Sequence, residues 1–207
     1  MTVTAVTKQK KHLARVETDD GRTVELDQTA VREAGLRAGV SLSEEQLSEL
    51  SAQSDYLRAK ERALWYLDRG NYTERALSDK LRRAGFPPEA NEKVLSFLRE
   101  YGMVDDNRFA RRFAEICAAR NLSRRATFAK LTEKGVPRGI IEEVLSEEPP
   151  DEEAAIRVLL EKKYGKMLDT PESVQKVYAA LMRRGFSYGA VKTVLKTYAE
   201  EMAYIEE

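Results

Sequence analysis

The feature that most constrains this chain of 207 residues is an internal repeat with a period of about 50 residues. Gly85, Gly135 and Gly185 fall in one column, and Leu81, Leu131 and Leu181 in another. A third holds Val94-Leu95, Val144-Leu145 and Val194-Leu195, and a fourth the hydroxyls of Thr73, Ser123 and Ser173. Each column has a mechanical meaning. A hydroxyl at the start of a helix accepts an orphan backbone N–H, worth about 1 kcal/mol, so Thr73, Ser123 and Ser173 are expected as N-caps. Glycine, having no Cβ, takes the left-handed conformation just past a helix end, so Gly85, Gly135 and Gly185 should terminate the same helix about three turns on. Phe86, Val136 or Phe186 follows, and then Pro87, Pro137 or Ser187, which suit the start of another helix. The apolar residues of that helix fall at helical spacing: Ala90, Val94, Leu95 and Leu98; Ile140, Ile141, Val144 and Leu145; Ala190, Val191, Val194, Leu195 and Tyr198.

Each unit also has a first helix upstream. Its stripe is Ala63, Leu64, Tyr66 and Leu67 in the first unit, Phe109, Phe113 and Ile116 in the second, and Ala155, Ile156, Leu159 and Leu160 in the third. Pro149-Pro150 separates the second unit from the third, and Tyr164-Gly165 through Thr170-Pro171 reads as a loop inside the third. One such unit buries too little surface to stand alone, so neighbours should stack. The first fifty or so residues differ. Leu13, Val16, Val24 and Leu26 flank Asp20-Gly21, which suits a type I′ hairpin turn. Gly35 and Gly39 punctuate a short helical stretch, and Ser43 and Gln46 suit a capping box. The expected fold is therefore mainly α: an elongated curved array of three tandem three-helix repeats, preceded by a small N-terminal β-hairpin and short-helix extension. The expected divisions are 1–54 for the extension and 55–104, 105–148 and 149–207 for the repeats.

Composition narrows the function. Apolar residues make up 42% and charged residues 34% of the chain, enough apolar content for a folded core. Basic and acidic residues balance at 35 each, whereas a chain living on naked nucleic acid usually carries a basic excess. Any basic surface must be local. The single cysteine, Cys117, cannot form an intramolecular disulfide, residues 1–20 hold no apolar run suited to a signal peptide, and no stretch is long enough to span a bilayer. A cytoplasmic chain with no membrane role is expected, and a monomer, since no heptad run is present.

The segment Ala63-Leu64-Trp65-Tyr66-Leu67, then Thr73-Glu74-Arg75-Ala76-Leu77-Ser78-Asp79-Lys80-Leu81, then Gly85-Phe86, is similar to the opening repeat of the RecX family. Tyr101-Gly102-Met103-Val104-Asp105-Asp106-Asn107-Arg108-Phe109-Ala110 resembles that family's link into its second repeat, and Lys130-Leu131-Thr132-Glu133-Lys134-Gly135-Val136 its next signature. The likeness covers roughly residues 55–200, and it departs at Ala76, Thr127 and Lys130. It implies a regulator that binds in the groove of the RecA–single-stranded-DNA filament. Such a regulator mostly inhibits RecA's ATPase, strand exchange and coprotease activity, in recombination, repair and the SOS response. Near-zero net charge with local basic clusters suits a nucleoprotein partner, and similar repeats can make several weak contacts at once.

The basic candidates for contact with RecA or single-stranded DNA are Arg82, Arg83, Arg111, Arg112, Arg120, Arg124, Arg125, Lys130, Arg183 and Arg184. Arg82-Arg83 and Arg183-Arg184 close a second helix, where cations also favour the dipole by about 0.3–1 kcal/mol. From Arg120 to Lys130 no acid intervenes. Asp105-Asp106 reads as an N-cap rather than a metal or catalytic pair, Cys117 as a small core residue, and Trp65 and Tyr66 as packing. With His12 the only histidine and no glycine-rich phosphate loop, neither a cofactor, a metal site nor an enzyme is expected. Two alternatives stay open: a direct DNA-binding protein of three-helix units, and a generic helical scaffold. A carboxylate-dependent nuclease ranks last.

Overall fold

The computed structural model describes residues 1–164, Leu168 and 170–205, and only the backbone of residues 199 and 201–205. Two compact units divide it, Met1–Val104 and Asp105–Glu207.

The first unit opens with an antiparallel sheet of β1 (Val3–Lys8), β2 (Leu13–Thr18) and β3 (Thr23–Asp27), in the order β1-β2-β3. Along β2 burial alternates, with Ala14, Val16 and Thr18 inside and Arg15 and Glu17 outside, as the strand period of two requires. Val3, Ala14, Val16 and Leu26 pack with Ala30 and Val31 of α1 (Gln28–Glu33) and with Leu50 of α2 (Glu44–Leu67). The hairpin is present, but its turn is not type I′. That turn needs positive φ at both central residues; here only Gly21 has it (φ 84), and Thr18 N bonds Arg22 O across the loop Asp19-Asp20-Gly21. This is the longer hairpin connection closed by a left-handed glycine. The strand β1 was not anticipated from sequence. Its β-branched run Val3-Thr4 and Val6-Thr7 carried a signal, but at this sheet edge it buries fully only Val3.

Ser43 and Gln46 form the expected capping box at the start of α2, which then runs unbroken through residue 55. The Ser54 hydroxyl accepts the Asp27 N–H at 2.8 Å, tying the sheet to this helix in the interior. The last turns of α2 pack with α3 (Glu74–Arg83) and α4 (Pro88–Glu100) through Ala59, Ala63, Leu77, Leu81, Val94 and Leu98. Leu64, expected inside, is 38% exposed; the helix turns Ala59 and Ala63 inward instead.

The second unit holds two three-helix sets, each with its own core. The first is α5 (Asp106–Ala119), α6 (Arg124–Glu133) and α7 (Arg138–Glu147), closed over Ala110, Leu131, Ile141, Val144 and Leu145. Phe109 and Phe113 flank this core, but Ile116 is 41% exposed, because Ala110 and Cys117 occupy the inward face of α5. The second set is α8 (Glu152–Leu159) with a π-helical turn at Leu160–Tyr164, then α9 (Pro171–Arg183) and α10 (Tyr188–Ile205), around Ile156, Leu160, Val177, Leu181, Val191 and Val194.

The repeat columns do what their chemistry requires. Leu81, Leu131 and Leu181 are each fully buried. Gly85, Gly135 and Gly185 have φ of 89, 86 and 86°. At all three helix ends the glycine N–H bonds a carbonyl three residues back, at Arg82, Thr132 and Met182, and the next N–H bonds Leu81, Leu131 or Leu181. That is the Schellman pattern, made three times. Thr73 and Ser123 cap α3 and α6, but Ser173 does not cap α9. Thr170 does, accepting Ser173 N–H, because Pro171 is already set for the first helical position. The loop expected from Tyr164-Gly165 through Thr170-Pro171 lies largely outside the described residues.

Candidate functional site

The ten candidate cations are divided between the two units. In the first unit Arg82 and Arg83 are exposed at the end of α3, and Arg82 donates to Asp79 Oδ1 at 2.7 Å. In the second, Arg111 is committed to holding α5 to the end of α7. It pairs with Glu147, donates to Glu148 Oε1 at 3.2 Å and gives its Nε–H to Asn107. The Glu147 carboxylate holds the guanidinium pKa above its ordinary value. Arg112 on the same helix is exposed.

Arg120 caps the end of α5, and Asn121 takes the left-handed conformation (φ 54) in place of the glycine used elsewhere. The chain passes straight into Ser123, the N-cap of α6, so Arg124 and Arg125 open that helix. A cation there opposes the positive end of the dipole by about 0.3–1 kcal/mol. The equivalent first turns of α3 and α9 carry Glu74 and Glu172, whereas that of α6 holds no acid. Helix stability gives no reason for two arginines at this place.

Glu152 supplies the missing negative charge from the next repeat. Its Oε1 accepts the Arg124 N–H and its Oε2 the Ser187 N–H, each at 2.9 Å, so one carboxylate serves the starts of α6 and α10. Ser123, 1% exposed, accepts the Ala126 N–H at 3.1 Å and donates to Arg184 O at 2.8 Å. The end of α9 is thereby fastened to the start of α6. A Cβ placed on Gly185 would stand 3.0 Å from Ser123 Oγ and 3.1 Å from Arg125 Cβ. Beside this joint lies a cleft of about 620 Å³ lined by Arg124, Arg125, Phe128, Glu152 and Pro149-Pro150.

The joint brings the main chain at Arg184 and Gly185, the end of α9 in the third repeat, against Ser123 and Arg125 at the start of α6 in the second. The side chains of Arg124, Arg125, Arg183 and Arg184 are all exposed, and the Arg184 guanidinium lies 6.0 Å from the Tyr164 ring centroid. Lys130 faces away from the arginines at the start of its own helix: at about 100° per residue it lies about 120° around α6 from Arg124 and about 140° from Arg125. Lys130 and Arg120 instead both act on Cys117, whose thiol pKa is pushed up by burial despite them. What looked in sequence like one basic run is thus two groups facing different ways.

Among the described residues no group of three His, Cys, Asp or Glu side chains could hold a metal. Asp105 caps α5, accepting the Arg108 N–H at 2.9 Å. No helix of the described residues is long and apolar enough to cross a membrane. Cys117 is the buried core residue expected. Of the two aromatic residues expected as packing, Tyr66 packs against the core of the first repeat, whereas Trp65 is 45% exposed. Glu152 is not among the residues expected from sequence; its signal there is an acid at a helix start two residues after Pro149-Pro150.

Three family models match the chain in order: RecX, first three-helix domain, over residues 59–98; the second over 105–145; and the third over 151–195. Regulatory protein RecX of Clostridium tetani is 31% identical over 165 residues, spanning 77% of this chain and 76% of that one. Regulatory protein RecX of Caldanaerobacter subterraneus is 31% identical over 163 residues, 78% and 81% of the two chains. The one from Clostridium acetobutylicum is 28% identical over 209 residues, 97% of each. In fold the chain resembles a crystal structure of regulatory protein RecX (TM-score 0.71, 22% identity, covering 93% of this chain and 98% of that one). It also resembles RecX from Lactobacillus salivarius (TM-score 0.65, 20% identity, 70% and 97%). With its three three-helix domains matched in order and relatives above 30% identity over most of its length, the chain belongs to the RecX family of regulatory proteins.

Proposed function

We propose that this protein modulates RecA by docking onto the RecA–single-stranded-DNA filament, mostly to inhibit it, and that the joint between its second and third repeats is a principal contact. The carrying observation is that Ser123, Glu152 and Gly185 fasten the helix end that carries the exposed Arg183 and Arg184 to the helix start that carries the exposed Arg124 and Arg125. Exposed guanidinium groups on two fastened elements suit carboxylates and phosphates together, which a nucleoprotein filament presents. The balanced charge of the whole chain, 35 against 35, favours such a mixed partner over bare DNA. Arg82, Arg83 and Arg112 are secondary contacts that add to avidity, while Arg111 acts through the fold. The reading assigns no catalytic step, cofactor or metal to the chain, and a monomer in the cytoplasm serves it.

The test is co-sedimentation with RecA filaments formed on single-stranded DNA. The double variant Arg124→Ser, Arg125→Ser should weaken capture by about tenfold or more, the worth of one lost charge-assisted contact, with far-UV circular dichroism unchanged. Unchanged capture would remove the joint from the interface. Equal binding of the wild type to bare DNA and to filament would favour the direct DNA-binding reading, and no binding to either the scaffold.

A further inference from the structure

The first repeat carries a second array of aromatic and basic groups that the arginine joint does not explain. Trp65, Arg62 and Arg69 are exposed, whereas Tyr66, Tyr72 and Lys80 are half-buried, the two tyrosines with one side against the core of this repeat. The rings of Trp65, Tyr66 and Tyr72 form a continuous chain: Trp65 to Tyr66 is 5.3 Å between centroids and Tyr66 to Tyr72 is 6.2 Å, both edge to face. Cations are interleaved along it. The Arg69 guanidinium lies 4.0 Å from the Trp65 centroid and that of Arg62 lies 5.6 Å away; the Lys80 ammonium sits 4.8 Å from Tyr66 and 4.9 Å from Tyr72. Arg69 is held over the indole by hydrogen bonds to the Trp65 carbonyl at 3.1 Å and to Asp68 at 3.2 Å. Leu64 beside it is exposed as well.

The placing of Trp65 in this arrangement is a poor use of aromatic surface for folding. A tryptophan can bury more area than almost any other side chain, yet the only tryptophan of the chain is left 45% in water while the neighbouring alanines fill the core. Planar rings alternating with cations are the chemistry that holds an unpaired nucleic-acid strand: bases stack on the rings or on guanidinium planes, and the cations meet the phosphates between them. An acidic protein surface would use the cations but has no planar partner for the rings. Duplex DNA would meet the phosphate-binding groups but keeps its bases stacked inside.

We propose that the Trp65–Tyr66–Tyr72 face, with Arg62, Arg69 and Lys80, is a stacking platform for unpaired bases of a single strand. It rests on the reading above only in taking single-stranded DNA to be within reach of the docked protein. The platform is separate from the arginine joint, which lies in the other unit, so each can fail alone.

Because Trp65 is the sole tryptophan, the indole reports its own occupancy. The full chain is titrated at low salt with a single-stranded oligothymidylate, within the span of about 4–16 nucleotides that one such site covers, and with an abasic oligomer of equal length and phosphate count. Oligothymidylate should quench the fluorescence saturably and the abasic strand should not. Trp65→Ala, read by anisotropy of a labelled oligothymidylate, should lose about 5- to 150-fold in affinity, the range of one stacked base, and Trp65→Tyr should recover part of it. Arg124→Ser, Arg125→Ser should leave the quench in place even if filament capture collapses. Equal quenching by the abasic strand, or wild-type affinity in Trp65→Ala, would overturn the platform. Loss of filament capture in Trp65→Ala with unchanged affinity for the oligomer would overturn it too, and assign the face to protein contact.

Discussion

Replacing Gly85 and Gly185 one at a time separates helix termination from repeat fastening, because the two glycines share a backbone role and differ in surroundings. Both stand at positive φ, 89 and 86°, where an alanine costs about 1–2 kcal/mol. Around Gly85 no heavy atom lies within 4 Å of an added Cβ, whereas at Gly185 Ser123 Oγ and Arg125 Cβ stand at 3.0 and 3.1 Å. Overpacking of that kind adds about 1–3 kcal/mol. Gly85→Ala should therefore destabilise by about 1–2 kcal/mol and Gly185→Ala by about 2–5 kcal/mol. With a slope of about 2 kcal/mol per molar urea, the midpoint followed by far-UV circular dichroism should fall by about 0.5–1 M for the first and about 1–2.5 M for the second. Asparagine isolates the contact, since it tolerates the left-handed conformation. Gly85→Asn should recover most of the alanine loss, and Gly185→Asn little of it. Equal losses at the two positions, or full recovery by Asn at position 185, would refute the claim that the joint is packed against that glycine.

Three further outcomes follow from the same geometry. Glu152→Gln leaves a single acceptor where two helix-start N–H groups need one each, and should cost about 1–2 kcal/mol in urea denaturation while weakening filament capture. Thr170→Ala should cost about 1 kcal/mol and Ser173→Ala less than half of that, reversing the order that the column alignment implied. Asp19, held below the ordinary carboxylate range chiefly by the Thr2 N–H, Asp20, held there by the Thr18 hydroxyl, and Glu44, held by Arg22, all have depressed pKa values. Their stabilisation is present above the unfolded value of about 4 and is lost as pH falls through the lower folded values. Hydrogen exchange at the Thr2 amide, bonded to Asp19 Oδ1, should keep its protection down to about pH 4 and lose it, relative to its intrinsic rate, only as pH falls below that.

The repeat was legible because each of its columns is a local device. Glycine at C′, leucine three residues before the helix end and the buried valine of the third helix are dictated by backbone and burial alone, and Leu81, Leu131 and Leu181 show it. The Ser173 expectation failed because a column records position and not competition: Thr170-Pro171 starts the helix earlier. The strand β1 and the exposure of Leu64, Trp65 and Ile116 were hidden for a related reason, since which side of a strand or helix faces inward depends on what packs against it. For the candidate site, counting cations picks out Arg124, Arg125, Arg183 and Arg184 but cannot bring together the two repeats that carry them. The Ser123–Arg184 and Arg124–Glu152 hydrogen bonds that do so are tertiary. Nor could it see that Arg111 is already engaged by Glu147 and Glu148.

The central claim, that this chain regulates the RecA filament, is tested most directly by RecA's single-strand-dependent ATP hydrolysis as the protein is titrated in at low and moderate salt. The account expects inhibition below one protein per RecA monomer, and a clear loss of potency in the Arg124→Ser, Arg125→Ser variant. Undiminished hydrolysis at equimolar protein, in a preparation that still binds single-stranded DNA, would contradict it and leave a DNA-binding protein of three-helix units in its place.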